Sequence, residues 1–155
     1  MLVSVKITDK KEVWRRIRVG LNELEPVEVV AGIQKGEVND GVLVAEYATW
    51  NEFGTRTTPS RPFMRNAFDK NVETLVRFFY QGRRGIVDGK INQDQLMNAV
   101  GVKMVQLIKE SILNESWAPN AEYTIDRKKS SKPLVDTGTM LNSITYAIHP
   151  YGTSR

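Results

Sequence analysis

The chain has 155 residues, of which 41% are hydrophobic and 26% charged, so it is long enough for one domain with a hydrophobic core, and its composition excludes wholesale disorder. It contains no cysteine, which excludes a disulfide framework, thiolate zinc sites and a cysteine nucleophile, and which fits a reducing cytoplasm. The formal net charge of +4 admits an anionic partner.

The first elements in chain order are a strand, a helix and a second strand. Residues 2–8 alternate apolar and polar side chains, which predicts a strand. A capping box of Asp9 and Glu12 then predicts a helix that ends before Pro26. The positions predicted to be buried on this helix are Val13, Ile17, Leu21 and Leu24. The β-branched residues of 27–33 predict the second strand, with its end near Lys35 and Gly36.

Helices are predicted on both sides of a proline-containing loop. Residues 42–53 have apolar side chains at helical spacing, and Gly54 is predicted as a left-handed C-cap. Residues 56–62 contain two prolines and are predicted to form the loop. The helix that follows begins near Met64 and is predicted to end at Gly82. Its predicted buried positions are Met64, Phe68, Val72, Leu75 and Phe79.

Another long helix is predicted from its own start and stop signals. Asn92 and Gln95 form a capping box, and the helix is expected to last until Trp117 because a proline follows closely. Its predicted buried positions are Met97, Val100, Met104, Ile108 and Ile112. Residues 118–133 have no apolar period, so they are predicted to form a mobile loop that orders on assembly.

The C-terminal segment is predicted to contain one helical turn and a strand. Asp136 or Thr137 can cap the turn, and Gly138 relieves the bend. Residues 143–149 alternate as a strand, for which pairing with the first strand of the chain is one option.

The order of these elements predicts the α+β class. Strands and helices do not alternate regularly, so we expect a small antiparallel or mixed sheet with three to four helices packed on it rather than a doubly wound sheet. Residues 1–155 are predicted to form a single domain.

The strongest catalytic lead is the Asp-Thr-Gly triplet at 136–138. Two apolar residues followed by this triplet are typical of dimeric aspartic proteases, in which each chain gives one carboxylate to a shared dyad. Such a protease folds most of its barrel after the triplet, and too little chain follows here. The alternative is a capped structural turn, and we expect no enzymatic activity.

The other candidate sites have weak patterns. His149 has no second histidine, cysteine or carboxylate at metal-ligand spacing, so it is expected to be polar surface. Gly82, Gly85 and Gly89 match neither phosphate-loop nor dinucleotide spacing, and are interpreted as a turn between helices. We therefore expect no metal and no cofactor.

Two surface features leave alternatives open. The basic residues lie in three groups: Arg15, Arg16 and Arg18; Arg83 and Arg84; and Arg127, Lys128, Lys129 and Lys132. They indicate either solvated surface or contacts to an anionic partner. Several aromatic residues fall beside the predicted core stripes, which indicates either interfaces or wider buried faces. They are Trp14, Trp50, Phe53, Phe63, Phe78, Tyr80 and Trp117.

Neither a leader nor a membrane span is expected from the sequence. The first residues lack the basic region and long apolar stretch of a signal peptide. No window approaches the roughly 18 consecutive apolar residues that a span requires. We expect a protein that is made in the cytosol and used there or in an assembly formed there.

Two motifs together resemble a known family. The first motif is NEFGT at 51–55 followed by PSRPFMR at 59–65, and the second is KPLVDTG at 132–138 followed by MLNSITY at 140–146. Their order and separation resemble the neck and tail-completion proteins of long-tailed bacteriophages and prophages, which are also described as head–tail joining, virion morphogenesis or minor tail proteins. In that family a Phe-Gly-Thr segment ends one helix, Arg-Pro-Phe opens a long one, and an Asp-Thr-Gly run leads into the final strand.

The resemblance implies a structural role. The chain would be a ring-forming homo-oligomer whose symmetry matches the sixfold tail, in contact with tail-tube and head-completion proteins, with DNA only in passing and no membrane. It would work in the bacterial host cytoplasm during assembly and then in the virion neck or tail. The implied structural or interface residues are Phe53, Gly54, Thr55, Arg61, Pro62, Phe63, Asp136, Thr137 and Gly138. Arg127, Lys128, Lys129 and Lys132 are candidates for anion or partner contacts, and a small basic nucleic-acid-binding protein is the alternative function.

Overall fold

The computed structural model describes residues 11–22, 24–34, 36, 38–39, 41–128 and 131–153. These residues form an α+β fold, which confirms the predicted class. The helices are α1 (Lys11–Asn22), α2 (Val44–Phe53), α3 (Phe63–Val87), α4 (Gln93–Asn114), α5 (Glu122–Lys128) and α6 (Thr139–Asn142). The strands are β1 (Val27–Ile33), β2 (Val38–Asn39), β3 (Val42–Leu43) and β4 (Ile144–Pro150). The strand predicted at 2–8 and the capping residue Asp9 lie outside the described residues.

The main sheet pairs β1 with β4 in antiparallel fashion. The register runs from Val27 opposite Pro150 to Ile33 opposite Ile144. Among the described residues, the C-terminal strand therefore pairs with the second predicted strand of the chain. A short antiparallel pair, β2 with β3, precedes α2. Helix α4 packs on both strands of the main sheet and lies alongside α3, so the two long helices and the sheet enclose the interior.

The core lies where α2, α3 and α4 meet the second motif. Its buried side chains come from three helices, from the turn before α6, from α6 itself and from the start of β4. They are Val44, Ala48, Phe63, Ala67, Leu107, Ile108, Ile112, Leu134, Met140 and Ile144. Burying these apolar side chains stabilises the contact between the first motif, the long helix α4 and the second motif.

Helix α1 lies where a helix was predicted, but it ends at Asn22, before the predicted end near Glu25, and it differs in what it buries. Val13, Leu21 and Leu24 are exposed, and only Ile17 of the predicted stripe is half-buried. The helix contacts α3, and none of its described residues belongs to the buried core. The prediction of a buried stripe was therefore wrong for most of its positions, since amphipathic spacing indicates a helix but does not say what covers the apolar face.

Helix α3 was predicted to end at Gly82, but it continues to Val87. A Cβ at Gly82 would clash with the side chain of Leu96, which is buried on α4. The glycine therefore allows close helix packing and does not terminate the helix. Gly85 is also helical, and only Gly89 lies in the turn, with a φ of 70°. Phe68 and Val72, both predicted to be buried on this helix, are exposed.

Helix α4 has the predicted start and a different end. The Asn92 side chain accepts from the Gln95 backbone at 2.9 Å, and the Gln95 side chain accepts from the Asn92 backbone at 3.0 Å, which confirms the capping box. The helix ends at Asn114, before the predicted Trp117. The buried positions are Leu96, Gly101, Leu107, Ile108, Ser111 and Ile112. The buried face is thus rotated from the predicted one, although both include Ile108 and Ile112.

Substituting Gly101 by alanine tests the contact between α4 and the sheet. A Cβ at this position would overlap the ring of Tyr146 on β4, whose hydroxyl donates to Asn98 Oδ1 at 2.8 Å. We expect Gly101→Ala to lower the free energy of unfolding by about 2 kcal/mol, because overpacking outweighs the gain of about 1 kcal/mol in helix propensity. Urea denaturation measures the change. Val102→Ala, at an exposed neighbouring position, is the control and should differ from the parent by less than about 0.5 kcal/mol.

A surface ion pair links the two long helices. Lys70 Nζ on α3 lies 2.7 Å from Glu115 Oε2 at the end of α4. The hydrogen bond from Lys70 lowers the pKa of Glu115 from its ordinary value; burial opposes this shift, while the charge of Lys70 and a hydrogen bond from Asn66 add to it. A lowered folded-state pKa means that this contribution to stability is present above the unfolded-state pKa and is lost as pH falls through the folded-state pKa.

We expect Lys70→Met to raise the pKa of Glu115 toward its ordinary value. A carbon-13 NMR titration of the Glu115 carboxyl group measures this pKa directly. Lys103→Met is the control, because Lys103 donates to Gln106 at 3.3 Å and not to Glu115. An unchanged Glu115 pKa in the Lys70 variant would show that the pair does not persist in solution.

Candidate functional site

In the first motif, the Glu52 carboxylate caps helix α3, the closest of its backbone partners lying twelve residues further on at Met64. Glu52, only 5% exposed at the end of α2, accepts from the backbone nitrogens of Met64 at 2.9 Å and Arg65 at 3.1 Å. It also accepts from Arg65 Nε at 3.0 Å. The first N–H groups of a helix lack internal partners and attract negative charge. Glu52 therefore fixes the start of α3, where Pro62 provides no side-chain cap.

Gly54 makes the sharp exit from α2. Its φ of 78° is positive, as expected for the predicted left-handed cap, but its ψ of 171° is extended, so the prediction was wrong in that respect. A Cβ would lie 2.9 Å from Ser60 N and 3.1 Å from Thr58 O, so the loop returns too closely to admit a side chain. The Thr55 hydroxyl accepts from Thr58 N at 3.0 Å inside this loop. The glycine and the threonine thus shape the loop.

Arg61 connects the first motif to the segment that precedes the second. It is only 4% exposed. Its Nε donates to Ala118 O at 2.8 Å, and Nη2 donates to Pro119 O at 2.9 Å and Asn120 Oδ1 at 3.3 Å. Nη1 donates to Asn51 Oδ1 at 3.1 Å. Among the described residues, all four acceptors are neutral oxygens, so this buried cation is satisfied by hydrogen bonds and by no carboxylate.

Asn120 extends this network to the second motif. Its amide nitrogen donates to Lys132 O at 3.4 Å and Ser131 O at 3.5 Å. The segment 118–133, predicted to be a mobile loop, contains helix α5 and is anchored by Arg61 at its start. The two motifs, at 51–65 and 132–146, are therefore joined through Arg61 and Asn120.

The second motif forms a turn that differs from the predicted capped one. Gly138 itself is the N-cap of α6, with a φ of 84° and no side-chain cap hydrogen bond, so the prediction that Asp136 or Thr137 caps the turn was wrong. The Thr137 and Thr139 hydroxyls lie 2.7 Å apart, and the contact from Thr139 N to Thr137 Oγ1 is 3.4 Å. Leu134 anchors the turn in the core with a φ of 63°. Asp136 is exposed.

A cavity of about 530 Å³, called here the central cavity, lies between the two motifs and α5. Its charged lining residues are Arg61, Arg127, Lys128 and Asp136. Burial lowers the pKa of Lys128; Asp136 opposes this shift, while the charges of Arg61 and Arg127 add to it. Burial also lowers the pKa of Arg61. Cations therefore outnumber carboxylates at this site among the described residues.

A larger cavity of about 790 Å³ lies between α1 and the turn before α4. Its charged lining residues are balanced: Arg15 and Lys90 oppose Glu25 and Asp94. Glu25 and Gln93 close one wall with two mutual hydrogen bonds of 2.8 and 2.7 Å. The central cavity is the better candidate site despite its smaller volume, because residues of both motifs line it and its described lining has more cations than carboxylates.

The remaining predicted residues occupy different environments. Phe63 is fully buried, so its role is in the core, whereas Phe53 is 66% exposed with Arg65 stacked 5.0 Å from its ring centre. Pro62 is half-buried at the start of α3. Lys132 is exposed, and Lys129 lies outside the described residues. His149 lies on β4 opposite Glu28.

Glu52 and Asn120 were missed as functional positions by sequence reasoning. Glu52 lies within the first motif, but its partners at 64 and 65 are too distant in sequence for a local capping pattern. Asn120 gave no signal at all. Within the part of the chain that the structure describes, no group of three His, Asp or Glu side chains could hold a metal ion. In the same residues, no helix is long and apolar enough to cross a membrane.

Compared with protein-family models, with curated proteins and with solved structures, the chain matches none of them.

Proposed function

We propose that this chain is a structural assembly subunit, namely a neck or tail-completion protein of a long-tailed bacteriophage or prophage. The observation that carries the proposal is the meeting of the two motifs. The sequence pattern that resembles this class consists of two separate segments, and Arg61 and Asn120 join them in one network. A pattern that forms one structural unit is better support than two independent short matches.

The exposed apolar surface also supports an assembly role. Along one side of α3, Phe68, Val72, Val76 and Tyr80 recur every four residues and are exposed. Trp14 on α1 is exposed as well. Aromatic and aliphatic side chains in a continuous stripe are typical of surfaces that another protein covers. The proposed partners are further copies of this chain, in a ring of the tail's symmetry, together with tail-tube and head-completion proteins.

The alternative of a nucleic-acid-binding protein has less support. The described basic residues are spread over α1, α3, α4 and α5 and the loops between them. Those that line cavities are divided between two cavities, with Arg15 and Lys90 at the larger one and Arg61, Arg127 and Lys128 at the central cavity. A dedicated nucleic-acid binder concentrates its charge on one face. Weak contact with DNA that passes through a ring is compatible with the proposal.

Assembly of virions without the protein tests the proposed function. A phage or prophage that lacks the gene should make heads and tails that fail to join, or tails without a completed end, and the intact gene supplied in trans should restore infective particles. Electron microscopy of the lysate shows both outcomes. Joined virions with tails of normal length in the absence of the protein would refute the proposal.

A further inference from the structure

The central cavity has a charge imbalance that its own described residues do not correct. Arg61, Arg127 and Lys128 line it with Asp136 as the only described carboxylate. Arg61 is buried, and its hydrogen bonds go to carbonyl and amide oxygens. A buried cation with only neutral partners remains a source of positive potential in the cavity.

The three cations also act on one another. Lys128 is partly buried, and its Nζ donates to Lys132 O over a long distance of 3.5 Å. Burial lowers its pKa, and the charges of Arg61 and Arg127 lower it further against the effect of Asp136. An added anion would relieve this repulsion and would therefore be bound favourably.

The other walls of the cavity suit a protein segment rather than a free ion. Tyr47 and Trp50 of α2 and Pro59 of the first motif provide aromatic and apolar surface. The hydroxyls of Thr57 and Thr137 lie on the same lining. A binding site with apolar walls and a few convergent polar groups is typical of pockets that take an organic ligand or a peptide.

We propose that the central cavity binds an acidic segment of a partner protein, with a carboxylate held by the cations and an adjacent apolar side chain against Tyr47 and Trp50. A cavity of about 530 Å³ admits a few residues of extended chain but not a nucleic-acid duplex. Asp136 also disfavours the closely spaced charges of a phosphate backbone. The inference rests on the proposed function for the source of the segment, namely another assembly protein.

Binding is tested on the isolated chain by nitrogen-15 NMR titration with blocked peptides. The acidic probe is acetyl-Gly-Glu-Leu-Glu-Gly-amide, and its neutral counterpart has glutamine in place of each glutamate. The acidic peptide should shift the amides of Asn51, Asn120 and Thr137 and saturate, and the glutamine peptide should bind at least about tenfold more weakly. No saturable shift, or equal binding of both peptides, would overturn the inference.

Two charge variants provide the matched comparison. Arg127→Gln with Lys128→Gln should weaken the acidic peptide about tenfold, while Arg77→Gln with Arg84→Gln removes the same charge from α3 and should leave its affinity unchanged. Equal weakening in both variants would show a general charge effect and would refute a site. Inorganic phosphate and a short oligothymidylate are further arms, and either one binding at the same residues as tightly as the acidic peptide would overturn the assignment to protein.

Because this titration uses the isolated chain and small peptides, it is independent of virion assembly. Peptide binding by a protein whose loss leaves virions intact would retain the site and refute the proposed function. If the acidic peptide does not bind but virions that lack the protein are defective, the binding site is refuted and the proposed function is retained.

Discussion

Replacing Arg61 by alanine is expected to lower the free energy of unfolding by about 3 kcal/mol, because hydrogen bonds to a charged group contribute strongly and buried acceptors are costly to leave without donors. The Arg61 side chain donates to the carbonyls of Ala118 and Pro119 and to the amide oxygens of Asn51 and Asn120. Equilibrium unfolding in urea measures the change. Arg61→Lys keeps the charge but loses the planar fork, so most of the stabilisation should still be lost.

The Arg61 substitution should also increase local opening of the segment that begins at Ala118, which Arg61 anchors. Hydrogen exchange at Thr124 and Ile125, whose backbone nitrogens both donate to Ala121 O, should accelerate in the Arg61 variant. Arg77→Ala is the control, since the Arg77 side chain is 73% exposed and pairs only with the exposed Glu73 among the described residues. Its effect should stay below about 0.5 kcal/mol. Equal stability of the Arg61 and Arg77 variants would contradict the role of Arg61.

Glu52→Ala should cost about 3 kcal/mol, since it removes the cap of α3 from a buried position. The backbone nitrogens of Met64 and Arg65 would lose their acceptor, and these contacts supply most of the effect. The ion pair with Arg65 adds less, because the Arg65 side chain is 54% exposed and solvent screens it. Glu52→Gln keeps one acceptor oxygen and should cost about half as much.

Thermal and urea unfolding of both Glu52 variants check this expectation. Glu73→Ala removes an exposed carboxylate from the same helix α3 and serves as the control. If Glu52→Ala were as stable as the control, the structure would have the wrong cap for α3. A cost for Glu52→Gln that equals that of Glu52→Ala would instead show that one neutral acceptor oxygen does not cap α3.

Elements with complete local signals were predicted well from the sequence. Strand β1 is rich in β-branched residues and begins directly after Pro26, as predicted, but it ends at Ile33, before the predicted end near Lys35 and Gly36. The capping box of Asn92 and Gln95 places the start of α4 because both partners lie within one helical turn. Strand β4 was placed within one residue of its observed ends.

The wrong predictions concern features that tertiary packing determines, namely where a helix ends and which of its faces is buried. Gly82 was predicted to end α3, but Leu96 occupies the space beside it and the helix continues. Helix α5 has no apolar stripe and no buried residue, so it gave no periodic signal. The exposed face of α1 could not be predicted, since the sequence indicates amphipathicity but not the partner.

The candidate site was predicted only in part. The resemblance selected Arg61 and the Asp-Thr-Gly turn, and these two groups line the same cavity. It did not indicate that Arg61 would be buried among neutral oxygens, or that Asn120 would bridge to the second motif. Such contacts join residues more than fifty positions apart in some cases, and no local pattern contains them.

The most direct measurement for the proposed role is electron microscopy of the purified chain mixed with tail tubes of the phage or prophage to which the proposal assigns it, together with its mass in solution. The proposed tail-completion role predicts a ring of this chain at one end of each tube, with a symmetry that matches the sixfold tail. The same mixture made with the Arg61→Ala variant should show fewer capped ends, since the two motifs are no longer joined. Tubes that remain uncapped at saturating protein, with the chain monomeric throughout, would contradict the proposal.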